Sequence, residues 1–428
     1  MNKSEIRNQI FALVEAYFSA DMQQETFIPG QSRIGVGYPV FDHKEINNAI
    51  GSLLDVWLSM GPKVRQFEAD YAEYIGTDYG IAVNSGSSAN LLAINALLQA
   101  GYVKPGAEVI VPAATFTTVI SPLLQNGLKP VFVDIDGDTH NISVDAIAEA
   151  INDNTGLIMP VHSLGLAADM PAINRLAQKH GLPILEDCCE AHAAAIEGQR
   201  VGSFGLISTY SFFVAHNMTT GEGGMVMTSD SRLEKILRST REFGRLTEYD
   251  SSQDRFYYSD GFLNEYDERY VFEKVGYNVR MTDICAALGI EQLKKLDALT
   301  QDRINNAEFY TEQLKEFSSF LQLPYVPESY LHSFYGYPII VRDDAPFKRQ
   351  ELVRFLESRN IETRAFMGGN LALQPAYRDD PAIRIAGDLK HTELMTRSGF
   401  FIGCHSMIKA EQRDYIIDAF RSFVSSVA

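Results

Sequence analysis

The chain has 428 residues, 46% of them hydrophobic, enough to bury a large core and more than one compact domain usually holds. Its 37 basic and 55 acidic side chains give a formal charge of -18, spread along the sequence, which disfavours nucleic acid or an anionic membrane as a partner. No stretch reaches the roughly 20 apolar residues of a membrane span, and Cys188, Cys189, Cys285 and Cys404 are too few and too scattered for a disulfide framework or a zinc site.

Ile6, Ile10, Leu13, Val14 and Tyr17 recur at helical spacing, and Glu5 and Arg7 interrupt any signal-peptide core, so residues 1–45 read as a helix and an arm, with a cytoplasmic location expected. From Tyr79 to Ser229, short β-rich runs (GIAV, AEVIVP, KPVFVDI, GLIMPV, PILED, ISTYSF, GGMVMT) alternate with stretches whose apolar residues recur every three or four positions. That alternation predicts an α/β domain over 46–300 with a mostly parallel sheet covered on both faces. A polar, tyrosine-rich stretch over 246–273 reads as a long functional loop. Helical sequence resumes at Thr282, and from 301 to 428 the pattern predicts a smaller C-terminal α/β domain.

Ligands on such sheets gather at the carboxyl ends of the strands, which directs attention to the residues just after each run. Asn84 to Leu92 (NSGSSANLL) leaves a strand and opens a helix, so the amides of Gly86, Ser87 and Ser88 suit a phosphate, or simply cap the helix. Asp187, ending PILED, is placed to keep a pyridinium nitrogen protonated or to cap a helix. Phe116 is a candidate to cover a planar ring, with an ordinary core position as the alternative. Ser211 begins a strand end and glycine-rich turn, SFFVAHNMTTGEGG, and its hydroxyl is a candidate to join the phosphate seat.

NSGSSANL, PAATFTT, PVHSLGLAADM, EDCCEAHAA, SFFVAHNMTTGEGG and GYNVRMTDICAALG occur in the order of one family, and over roughly residues 45 to 425 the chain resembles the DegT/DnrJ/EryC1/StrS sugar aminotransferases. The resemblance implies an aspartate-aminotransferase (type I, pyridoxal phosphate-dependent) fold with a mainly parallel seven-stranded sheet. It implies phosphate contacts from Gly86, Ser87, Ser88 and Ser211, ring stacking by Phe116, and a pyridine-nitrogen partner in Asp187. Asn278 resembles the asparagine that reaches the cofactor phosphate of a neighbouring subunit, which implies a homodimer with shared sites.

Five residues after Ser211, where most of the family has the lysine that binds the cofactor covalently, stands His216. Imidazole forms no such bond, so the resemblance implies pyridoxamine 5'-phosphate held without a covalent link and a histidine, ordinarily of pKa about 6.5, as the base. Two subfamilies share the change: the GDP-4-keto-6-deoxymannose 3-dehydratases of colitose synthesis and the CDP-4-keto-6-deoxyglucose 3-dehydratases that carry an iron-sulfur cluster. The stretch RLTEYDSSQDRFYYSDGF, which corresponds to the cluster loop, has no cysteine, so no iron-sulfur centre and no other metal is expected.

The expected activity is therefore C3 deoxygenation of a nucleotide-linked 4-keto-6-deoxy sugar, with glutamate as the amino donor that regenerates the cofactor. A nucleotide-sugar 4-aminotransferase and a non-catalytic cofactor-binding regulator are the alternatives. Glu190 stands where relatives often have glutamine, and with Arg364, Asn370 and His405 it is a candidate sugar or nucleotide contact. His162 and His192 read equally as site residues or as structural hydrogen-bonding groups.

Overall fold

The computed structural model describes residues 1–20, 26–246, 267 and 270–427, and most of the tyrosine-rich stretch 246–273 lies outside them. Helix α1 (Lys3–Ala20) lies on α2 (His43–Leu54), where Arg7 meets Asp55 at 2.8 Å. No residue of α1 is buried, so part of its apolar stripe, Leu13 and Tyr17 above all, faces outward in the single chain. A proline in the first turn opens α3 (Pro62–Ile75), and Gly76, with φ of 87°, closes it in the left-handed conformation that glycine adopts without strain.

The alternation that follows is β1 (Tyr79–Val83), α4 (Gly86–Gln99), β2 (Glu108–Pro112), α5 (Thr117–Gln125), β3 (Lys129–Val133), α6 (Val144–Ala150), β4 (Thr155–Ile158), α7 (Met170–His180) and β5 (Leu185–Asp187). A small hairpin, β6 (Ala195–Ile196) and β7 (Gln199–Arg200), precedes β8 (Ile207–Ser211), β9 (Gly224–Thr228) and α8 (Ser231–Arg241). Strands pair in the orders β1-β9-β8-β5 and β3-β2-β4. Parallel bridges Ile158–Ile184 and Val161–Asp187 join the β4 and β5 segments, giving one seven-stranded sheet in which β9 alone runs antiparallel to its neighbours.

The strands are apolar on both faces because helices cover both. Ile81, Val83, Val109, Val111 and Phe132 point into a core with Leu92, Leu97, Val119 and Leu123. The intervening Ala82, Ile110, Val131 and Val133 point to the opposite core with Phe67, Tyr71, Ile147 and Ile173. This is the two-residue period of a strand packed on each side.

Helix α9 (Asp283–Leu314) begins against α2 and α3 and ends in a third core through Ala307, Tyr310 and Leu314. Beyond it come β10 (Leu321–Gln322), β11 (Tyr330–Leu331), β12 (Tyr337–Val341), α10 (Arg349–Ser358), β13 (Thr363–Arg364), β14 (Arg384–Ile385), α11 (Lys390–Ser398), β15 (Gly399–Ile402) and α12 (Ala410–Val427). The antiparallel sheet β10-β12-β15-β13 packs on α10 and α12, while β14 returns to pair with β3 as an eighth strand of the large sheet. Among the described residues, no helix is long and apolar enough to cross a membrane.

Candidate active site

Residues following β1, β2, β4, β5 and β8 meet at one edge of the large sheet. After β1, the Ser85 hydroxyl caps α4 by accepting the Ser88 amide at 3.1 Å. The amides of Gly86 and Ser87 have no hydrogen-bond partner among the described residues, which leaves two donors at the positive end of a helix. A Cβ on Gly86 would lie 2.5 Å from the Cβ of Ser211 and 3.2 Å from the Cys189 sulfur, so only glycine lets the ends of β1, β5 and β8 converge.

Asp187, 4% exposed, accepts from Asn90 Nδ2 at 2.8 Å on one carboxylate oxygen and from the Cys189 amide at 3.0 Å on the other. Asn90 in turn accepts from the Thr209 hydroxyl at 2.6 Å, so three elements fix the carboxylate. Each oxygen keeps a further lone pair for a donor. Phe116, at the start of α5, is 53% exposed, an unusual position for a ring unless something covers it.

His216 follows β8 in a turn held by its own amide on the Phe213 carbonyl at 3.0 Å. Its Nδ1 is buried with no hydrogen-bond partner. Burial, reinforced by His192 and Arg303, pushes the imidazole down to about 3, well below the ordinary value that the sequence suggests. The ring is therefore neutral at physiological pH, and an anion beside it raises its basicity.

The centroid of Tyr335 lies 5.3 Å from that of His216. Tyr335 is held by its amide on the Leu164 carbonyl at 2.8 Å and by its carbonyl, which accepts from Arg303 at 3.1 Å. One turn along α9, Asn306 Nδ2 donates to the carbonyls of Cys404 and His405. Helix α9 thus pins the Tyr335 and His405 loops, both of which approach the site. Tyr335, Arg303, Asn306 and Asn90 escape the sequence reading, although Asn90 sits inside the NSGSSANLL motif that marks the phosphate seat.

His405 donates from Nε2 to the Gly35 carbonyl at 3.1 Å, while its buried Nδ1 has no partner. Nearby, Glu362 holds both Arg364 and Arg33 of the N-terminal arm. A Cβ on Gly37 of the same arm would stand 3.3 Å from the Ala215 carbonyl, so the arm runs past the His216 turn. Asn370 is buried in a bridge with Ala114, and its side-chain oxygen accepts the Ala372 amide. Asn278 is exposed beside Glu242 and accepts from Arg280 at 3.1 Å.

His192 and His162 resolve as structural groups. His192 takes the Tyr71 hydroxyl on Nδ1 at 2.8 Å and gives Nε2 to the Ser211 carbonyl at 2.7 Å. His162 takes the Ala168 amide and gives its other nitrogen to Glu186. Glu186 also accepts the amides of Gly202, Phe204 and Gly205, so although His162, Glu186 and Cys188 stand within reach of one ion, their best ligand atoms are already engaged.

A family model described as the DegT/DnrJ/EryC1/StrS aminotransferase family matches residues 40–421. The lipopolysaccharide biosynthesis protein RfbH of Salmonella typhimurium is 37% identical over 99% of this chain and 99% of its own length. The GDP-4-keto-6-deoxy-D-mannose 3-dehydratase of Yersinia pseudotuberculosis is 36% identical over 89% of this chain and 97% of its own. Two solved structures of GDP-4-keto-6-deoxymannose 3-dehydratase superpose with a TM-score of 0.83 at 31% identity over 90% of this chain. One, from E. coli, holds hydrated PLP and is covered over 98% of its length; the other holds a trapped PLP–glutamate geminal diamine and is covered over 99%.

Proposed function

This chain belongs to the DegT/DnrJ/EryC1/StrS aminotransferase family, and on that premise we propose that it removes the C3 hydroxyl of a nucleotide-linked 4-keto-6-deoxy sugar. The carrying observation is His216: an imidazole with an unpartnered buried nitrogen stands at the end of β8, in the turn where the family's covalent lysine is expected. The 3-dehydratase names of relatives and of superposed structures support this reading, while the family name keeps amino transfer as its competitor.

The residues fit pyridoxal and pyridoxamine phosphate. When bound, that cofactor supplies an amine for the C4 ketone and a conjugated ring that takes up electron pairs. Gly86 and Ser87 would hold its phosphate through their free amides, with the hydroxyls of Ser88 and Ser211 alongside. Asp187, fixed by Asn90, would hold the proton on the ring nitrogen, and exposed Phe116 would cover the ring and exclude water. The neutral imidazole of His216 would take the proton from the carbon that bears the cofactor's amine, releasing the electron pair that expels the C3 hydroxyl, and would return that proton to the leaving oxygen.

Arg364, His405 and Glu190 are assigned to sugar or nucleotide contacts, and glutamate to the donor role that restores the amine. Leu53, Leu54, Val56, Trp57 and Leu58 form an exposed apolar run beside a cleft of about 600 Å³ lined by α1 and α2. That run supports a homodimer, with Asn278 offered to the partner's site.

The test is product analysis after mixing the protein with pyridoxamine phosphate, glutamate and GDP-, CDP- or dTDP-4-keto-6-deoxy sugars. A 3-deoxy-4-keto sugar released together with ammonia is expected. A stable 4-amino sugar that keeps its C3 oxygen would establish the aminotransferase instead, and an inert panel would leave a cofactor-binding protein without this chemistry.

A further inference from the structure

Two carboxyl groups stand three residues apart at the end of β5, and the chain treats them differently. Asp187 receives a hydrogen-bond donor on each oxygen, from Asn90 and from the Cys189 amide. Glu190 receives one donor in all, the Leu164 amide at 3.0 Å on Oε2, and no cation pairs with it among the described residues. The titratable groups facing it are Asp187 and Cys189 on its own segment and Tyr335 on the small-domain loop; Arg303 and Arg364 act on Tyr335 from beyond. Two carboxyl groups that act on one another do not both ionise cheaply, and the one with the fuller set of donors is the better placed to keep the charge.

The Leu164 backbone also ties Glu190 to the centre of the site. Leu164 gives its amide to Glu190 and its carbonyl accepts the Tyr335 amide at 2.8 Å, while Tyr335 lies against His216. The Leu164 turn is rigid: its φ is 49°, and a Cβ on Gly165 would come to 2.7 Å of the Ser333 hydroxyl. Glu190 and His216 thus both act on Tyr335.

We propose that Glu190 works in this site as a neutral carboxylic acid, donating a hydrogen bond to an oxygen of a bound ligand while Asp187 alone carries the carboxylate charge. The inference rests on the strand-end site being the ligand site proposed above. Burial first, and the Asp187 charge after it, push the Glu190 carboxyl up to about 7 against the opposing pull of the Leu164 amide. The donor is present below that pH and lost above it.

Glutamine keeps the shape and remains a donor at every pH, which makes Glu190→Gln the decisive variant. Infrared difference spectra of wild type against E190Q, both loaded with pyridoxal phosphate alone, are followed from about pH 5 to 9. A protonated-carboxyl stretch present only in wild type and fading near pH 7 is expected; no such band at the acid end overturns the proposal, whatever the sugar chemistry proves to be. In turnover with a reactive keto-sugar, wild-type kcat/KM falls on the alkaline side, whereas E190Q stays within about threefold of its acid-side value. An identical alkaline fall in both proteins also overturns it. An inert sugar panel refutes the proposed reaction while the infrared result still decides the state of Glu190.

Discussion

Around Asp187 the polar atoms are engaged inside the chain: Asn90 bridges the carboxylate to Thr209, the Cys189 amide closes the second oxygen, and Ser85 caps α4. Around His216 they are left open, with buried Nδ1 atoms on His216 and His405 lacking partners and Glu190 held by a single amide. A group whose job is to keep one charge state gains from a saturated, rigid surround. A group that must exchange a proton needs a nitrogen not already committed, and unsatisfied buried atoms are the structural cost of that readiness.

Substitutions on the open side should reduce activity most and stability least. His216→Asn removes the proton acceptor and should lower kcat by about 10³-fold while leaving pyridoxal phosphate affinity within a few-fold. Equal losses in a cofactor titration would make His216 a binding residue and erase the contrast. Asp187→Asn keeps the shape but not the charge and turns an NH2 toward one of the two donors, Asn90 or the Cys189 amide, so it should lower kcat by about 10²-fold and also cost about 1–3 kcal/mol in denaturant unfolding. Asn90→Ala leaves both Asp187 and Thr209 short of a buried partner and should cost about 1–3 kcal/mol in denaturant unfolding.

The last expected outcome concerns stability against pH. His140, His192 and His405 are pushed to about 4, and His216 and His332 to about 3, each chiefly by burial. A folded pKa below the unfolded value means that the unfolded chain binds more protons. Stability should therefore fall as pH drops below about 6.5, by up to about 1.4 kcal/mol per pH unit for each such histidine until its folded pKa is reached. Denaturation midpoints that stay level from about pH 7 to 4.5 would show that these rings are charged in the folded chain, His216 included.

The fold was legible because buried parallel strands and amphipathic helices write different periods, and the strand-end rule then located Gly86, Asp187, Ser211 and His216. The pattern did not show β14 crossing back to β3, because a two-residue strand carries no period of its own. Contacts between distant positions were equally silent: Asn90 meets Asp187 across 97 residues, and Arg303 meets Tyr335 across 32. His162 and His192 looked like candidates until their partners appeared, since a histidine's role depends on what its two nitrogens face. The Glu190 environment required three segments to be assembled at once.

How the cofactor is held can be read directly from mass. Protein saturated with pyridoxal phosphate is reduced with borohydride and weighed intact, as wild type and as His216→Lys. A non-covalent site leaves no added cofactor mass on wild type, and the lysine variant is expected to carry one cofactor per chain, located by peptide mapping to residue 216. A reduced cofactor fixed to any lysine of the wild-type site would contradict a non-covalent site with His216 as its base.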